Sequence, residues 1–114
     1  MSEVRFCVTG GSGFIGTNFV SWAISNDHEV VNFDIQPPKV LGHHNYWKHV
    51  DIREQETLTD ALVEFKPTHI VHLAATTGMD VHDFSLFDAN TIGVENLIKA
   101  TNKIPSLERI IFTS

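Results

Sequence analysis

The chain has 114 residues, enough for one domain with a single buried core. At 42% hydrophobic and 19% charged, it has the make-up of a globular protein rather than a disordered one. Fourteen acids against eight Lys and Arg give a net charge of −6. That argues against nucleic-acid and anionic-membrane partners, because no basic stripe is present to neutralise phosphates.

Apolar runs of two kinds alternate along the chain. "VRFCV" (4–8) is short and β-branched, and predicts the first strand. Its lone Cys7 reads as a small buried hydrophobe without a disulfide partner. The run ends in glycines after a few residues, which excludes a signal peptide or membrane span there and makes the cytoplasm the expected location. Ile15, Phe19 and Ala23, with Val20 and Ile24, form a helical stripe. "EVVNFD" (29–34) predicts the second strand. The segment 35–45, with Pro37, Pro38, Gly42 and the paired His43 and His44, predicts an exposed loop without a clear helix.

"YWKHV" (46–50) follows as the third strand, and Leu58, Ala61, Leu62 and Phe65 give a second helical stripe closed by Pro67. "HIVHLA" (69–74) is the fourth strand. A third helix is expected over 90–101, with Leu97 and Ile98 inward and Pro105 beyond its exit. "RIIFTS" (109–114) is the fifth strand. Strand and helix in alternation imply an α/β fold: a doubly wound parallel sheet with helices on both faces.

The stretch "CVTGGSGFIG" (7–16) carries the chemistry. It leaves a strand and opens a helix, the context in which a glycine fingerprint reads as dinucleotide-binding. Two registers fit, Gly11-x-Gly13-x-x-Gly16 and Gly10-x-x-Gly13-x-x-Gly16. In either, an early glycine makes the turn, Gly13 lets a pyrophosphate touch the backbone, and Gly16 lets the helix press on the sheet. The free N–H groups of Phe14 and Ile15 then face the phosphates at the positive helix end. No Gly-Lys-Ser/Thr follows, which excludes a Walker loop.

Asp34 ends the second strand, 18 residues after Gly16, where an acid can accept hydrogen bonds from the adenosine ribose. It would repel a 2′-phosphate, and no Arg lies near the loop, so NAD is expected over NADP. The competing reading is an ordinary turn aspartate ahead of Pro37 and Pro38. The histidines suggest a metal site at His43, His44 and His49, but no carboxylates stand at ligand spacing, and a solvated loop is the better account. His72 reads as packed within its strand.

These residues resemble the extended short-chain dehydrogenase/reductases, the NAD-dependent epimerase/dehydratase family, and the resemblance runs along essentially the whole chain. "TGGSGFIG" (9–16) is similar to the family's opening motif, and "DIRE" (51–54) to its acidic adenine-contact motif. "HLAA" (72–75) is similar to its fourth-strand signature, and "NTIGVENLIKA" (90–100) to its N-x-x-G-x-x-N-L helix. "IIFTS" (110–114) resembles the strand that leads into the active site. The resemblance implies a Rossmann-like domain over 1–114 with strand order 3-2-1-4-5. It also implies that Asp51 bonds the adenine amino group beside the Ile52 backbone. Leu73, Ala74 and Ala75 would pass their backbone along the cofactor, and Asn90 would anchor near its nicotinamide half. Each role has a plain rival: a helix cap for Asp51, tight sheet packing for Ala74 and Ala75, a helix-start residue for Asn90.

One part of the family pattern is absent. Its catalytic pair, Tyr-x-x-x-Lys, has no counterpart here, since the one tyrosine is Tyr46 and position 50 is Val50. Thr113 and Ser114 match only the opening of the family's serine-rich strand end. No catalytic residue is therefore assigned. The resemblance implies the NAD-binding part of a nucleotide-sugar epimerase, dehydratase or related oxidoreductase, cut after the fifth strand and inactive by itself. The nucleotide sugar would be a partner only of a complete enzyme. A non-catalytic redox-sensing module that binds NAD is the alternative. An apolar edge strand at 109–114 predicts self-association.

Overall fold

In a computed structural model, the backbone is described for residues 3–73 and 84–112, and the side chains for those residues other than 84–90. Five strands form one sheet: β1 (Arg5–Thr9), β2 (Glu29–Asp34), β3 (Trp47–His49), β4 (His69–His72) and β5 (Arg109–Phe112). Their order is β3-β2-β1-β4-β5 and every pairing is parallel. Three helices connect them: α1 (Phe14–Ser25), α2 (Gln55–Phe65) and α3 (Phe84–Thr101). The order reverses at β1, so the crevice between the ends of β1 and β4 is the switch point where open α/β sheets take ligands.

Both faces of the sheet are covered, which explains the near-continuous apolar strands. Along β1, Cys7 enters a core with Phe33, Ile70 and the α2–α3 residues Leu58, Leu62, Leu97 and Ala100. Its neighbour Val8 enters the opposite core with Val20 and Ala23 of α1, Val30 and Val71. The Cys7 thiol is fully enclosed, and burial pushes its pKa far up. α2 stops where expected: Lys66 adopts a left-handed conformation (φ 56°), its N–H donates to the Leu62 carbonyl at 2.9 Å, and Pro67 cannot continue the helix. No described helix is long and apolar enough to cross a membrane.

Several local expectations need correction. Ile15 is 64% exposed rather than part of the buried α1 stripe, on the helix's first turn. Ile98 is 53% exposed while its neighbour Leu97 is fully buried, because successive helical positions point about 100° apart and the buried stripe of α3 runs through Leu97 and Ala100. α3 begins at Phe84, six residues before the predicted start. The segment 35–45 is not wholly a solvated loop. A 3-10 turn over Leu41–Tyr46 folds it back on α1, burying Pro38 and His43. His43 Nε2 lies 3.1 Å from Ser21 Oγ, and burial lowers its pKa. Thr113 and Ser114 lie outside the described residues.

Candidate functional site

The loop after β1 stays fastened to the sheet as it turns. The Gly10 N–H donates to the Phe33 carbonyl at 2.9 Å, and Gly10 takes φ 79°, a conformation that side chains disfavour. Gly10 is therefore the turn glycine, in the Gly10-x-x-Gly13-x-x-Gly16 register. A Cβ on Gly16 would strike the backbone of Gly10 and Gly11, so this position must be bare for α1 to approach the strand. A Cβ on Gly11 would lie 2.5 Å from the Asn32 carboxamide. Gly13 differs from both. Its nearest neighbour for a Cβ is the Gly10 carbonyl at 3.6 Å, an ordinary contact. Nothing within the described protein requires a glycine there, and the space beside the Gly13 backbone, a cradle at the start of α1, is open.

What suits that space follows from charge. α1 starts at Gly13 without a side-chain cap and without an acid in its first turn. The N–H groups of its first turn and the positive end of the helix thus meet the cradle directly, an arrangement that suits an anion. Phe14 and Ile15 keep their side chains outside the core, 79% and 64% exposed, while Gly16 is buried.

Asp34 lies across the loop, half-buried. Its Oδ2 accepts from the Ser12 N–H at 3.0 Å and its Oδ1 from the Gln36 N–H at 2.9 Å. Among the described residues no cation pairs with it. A carboxylate oriented in this way presents its remaining lone pairs to hydroxyl donors and opposes a phosphate. Asn32, missed as a site residue in the sequence, lies beneath the loop. Its Oδ1 accepts from the Gly11 N–H at 2.8 Å and its Nδ2 donates to Ser12 Oγ at 3.0 Å.

Asp51 and Ile52 follow β3 at the same end of the parallel sheet as the glycine loop and Asp34. Asp51 does not cap α2, whose N-cap is Glu54. Instead Asp51 Oδ1 accepts from the Arg53 N–H at 2.9 Å, and the Arg53 guanidinium donates to Asp51 Oδ2 at 2.7 Å. That charge-assisted bond holds the Asp51 carboxyl below its ordinary range and raises Arg53. The Ile52 carbonyl accepts from Asn96 Nδ2 at 2.8 Å, and a Cβ on Gly93 would strike the Ile52 side chain. Gly93 and Asn96 are thus the α3 residues that fix the Asp51–Ile52 segment, a role not assigned from the sequence.

On the other side of the loop, the Leu73 N–H donates to the Thr9 carbonyl at 2.8 Å. His72 Nδ1 and Thr9 Oγ1 are hydrogen-bonded at 2.7 Å, and burial lowers the His72 pKa, as expected of a packed histidine. Ala74 and Ala75 lie outside the described residues, as does the Asn90 side chain. Asn90 itself stands within α3, well past Phe84, and is not a helix-start residue. No group of three or more His, Cys, Asp or Glu among the described residues could hold a metal.

The sequence matches the NAD dependent epimerase/dehydratase family over residues 6–114, which includes the loop, both acids, β2 to β5 and all of β1 but Arg5. The chain belongs to this family. A curated relative, CDP-paratose 2-epimerase of Salmonella typhi, is 29% identical over 97% of this chain and 36% of the relative. UDP-glucose 4-epimerase of Thermus thermophilus, solved in complex with NAD, is 33% identical with a TM-score of 0.78. That match covers 89% of this chain and 34% of the solved one. The Bordetella bronchiseptica enzyme WbmG, solved with NAD and UDP, is 27% identical with a TM-score of 0.81, covering 97% of this chain and 37% of WbmG. The chain therefore spans about a third of the length of these three proteins.

Proposed function

We propose that this chain is the NAD-binding part of a nucleotide-sugar epimerase/dehydratase-type oxidoreductase. The observation that carries the reading is the Gly13 cradle: open space, bounded by an uncapped helix N-terminus, with the Asp34 carboxylate held opposite. The residues fit a dinucleotide. Gly10, Gly13 and Gly16 bring backbone close to the pyrophosphate, and the N–H groups of Phe14 and Ile15 bind it. Asp34 accepts from the adenosine ribose. Asp51 and the Ile52 backbone take the adenine edge, and the family resemblance assigns Leu73, Ala74, Ala75 and Asn90 to the cofactor's nicotinamide half. When bound, NAD supplies hydride transfer with a sugar carbon in an epimerase or dehydratase. This chain alone positions the cofactor without turnover, since it holds no Tyr-x-x-x-Lys pair to move the substrate hydroxyl proton. The similarity to solved NAD complexes supports the cofactor, and the UDP in the WbmG complex supports the substrate class.

Calorimetric titration tests the reading. NAD should bind and NADP should bind more weakly. Replacing Asp34 by Ala should weaken NAD by about 1.5–3 kcal/mol, about 10- to 100-fold. Equal affinity for both cofactors in the unaltered chain would remove the Asp34 assignment. NADH formation from NAD and UDP-glucose, in proportion to the chain, would remove the claim of inactivity.

We also propose that the chain self-associates through β5. Among the described residues β5 pairs with β4 alone, and Ile111 and Phe112 are 42% and 49% exposed.

A further inference from the structure

We infer that Asn32 is a positioning residue for the dinucleotide. From beneath the glycine loop it sets the affinity for NAD and the preference for NAD over NADP, without touching either cofactor. The inference rests on the NAD-binding reading above and adds a residue outside the glycine fingerprint and outside the acid at the end of β2.

A carboxamide in the middle of a parallel strand needs a reason. Such strands are covered on both faces and are normally apolar, and a polar group buried there costs free energy unless it is fully hydrogen-bonded. Asn32 is 1% exposed, between Val31 and Phe33. Its partners are both in the loop. The Gly11 N–H can only donate, so the atom 2.8 Å away is the carboxamide oxygen, and the NH2 group faces Ser12 Oγ at 3.0 Å. Ser12 is itself 3% exposed, and its hydroxyl donates onward to the Gln36 carbonyl at 2.8 Å. The Ser12 N–H reaches Asp34 Oδ2, and the Gln36 N–H reaches Asp34 Oδ1.

The result is a closed ring of Ser12, Gln36 and Asp34, anchored from below by the Asn32 bond to Ser12. Two things are fixed by it before any ligand arrives. One is the path of the Gly11–Ser12 backbone on its way to the Gly13 cradle. The other is the orientation of the Asp34 carboxylate, the group that discriminates a ribose hydroxyl from a 2′-phosphate. The bare Gly11 belongs to the same device, because the Asn32 side chain occupies the space its Cβ would need. Preorganisation of this kind raises affinity by removing the ordering cost of binding.

The test uses the 15N-labelled 114-residue chain, with titrations of NAD and NADP and amide hydrogen exchange in the ligand-free state. Asn32→Leu keeps the approximate volume and removes both hydrogen bonds. It should weaken NAD about 5- to 30-fold and cut the NAD-over-NADP preference at least about threefold. The Gly11 and Ser12 amides should exchange at least about tenfold faster while Cys7 and Val8 keep their protection. Asn32→Asp retains an acceptor for Gly11 and should restore protection at that amide. Ser12→Ala is a milder change, should the leucine variant not fold: Gly11 stays protected, and the cofactor preference still falls.

Uniformly faster exchange, with NAD and NADP weakened in equal proportion, would mean that Asn32 is merely part of the core and would overturn the inference. So would an unchanged preference in Ser12→Ala. If the unaltered chain binds no NAD, the functional reading fails. If it binds NAD and Asn32→Leu binds it equally well, the inference alone fails.

Discussion

On the β2 side of the central strand, the loop that ends β1 is tied down by polar contacts: Gly10 to Phe33, Gly11 to Asn32, Ser12 to Asp34. On the far side, β5 pairs along β4 and leaves Ile111 and Phe112 about half exposed. Both regions are continuous with the same sheet, but they are specified by different physics. Hydrogen bonds fix directions and distances, so the loop has one arrangement that a single misplaced atom breaks. Apolar surface fixes only that something should cover it. The loop is thus where geometry is exacting, and the edge is where association is tolerant.

The largest effect should come from overfilling the loop. Gly16→Val pushes a side chain into the backbone of Gly10 and Gly11, which cannot yield. It should destabilise the chain by about 3 kcal/mol or more and abolish NAD binding, read by thermal denaturation and calorimetry. Gly13→Ala sharpens the point, because its methyl group meets nothing closer than 3.6 Å. Stability should change by less than about 1 kcal/mol while NAD affinity falls at least about tenfold. Parallel losses in both variants would mean that Gly13 serves the fold rather than a ligand.

At the edge the expected effect is on assembly. Ile111→Lys should shift a concentration-dependent light-scattering signal toward the monomer with little change in melting temperature. A monomer at all concentrations, with or without the lysine, would show that the edge needs no partner.

The smallest effect concerns Arg53 and Asp51. Because the folded-state Asp51 pKa is depressed, chiefly by its hydrogen bond with Arg53, the pair's contribution is present above the unfolded carboxylate value and lost as pH falls through the folded one. Arg53 is about half exposed and solvent screens the pair, so Arg53→Ala should lower the melting temperature only slightly at neutral pH. The difference from the unaltered chain should shrink below about pH 4, as followed by thermal melts across the acid range. A difference that persists at pH 2 would place the stabilisation elsewhere.

Much of this was legible in the sequence, for identifiable reasons. Short β-branched runs and helical stripes report which segments are buried, and the order β3-β2-β1-β4-β5 follows from the family resemblance. Gly10 and Gly16 were visible because the turn and the close approach of α1 each demand a bare backbone, which few residues can supply. Asn32 was not, because inside "EVVNFD" a single polar residue looks like tolerated variation until its partners are in place. Gly93 and Asn96 were quoted within a motif but had no role until α3 was seen against Ile52. His43 was misjudged for a similar reason. A histidine among Pro, Gly and Asn reads as solvated, and only the contact with Ser21, across the chain, buries it.

The enclosed Cys7 gives the domain an internal clock. A thiol must ionise and be reached before it reacts, and in the folded chain it can do neither, since it lies fully buried in the central strand. Each alkylation event therefore records an opening of β1, the strand that carries the glycine loop. The labelling rate counts how often the fold lets go of that loop. Any ligand that grips the closed form lengthens the interval between openings by a factor of one plus its concentration over its dissociation constant. With one cysteine in the chain, that interval can be timed without adding a probe.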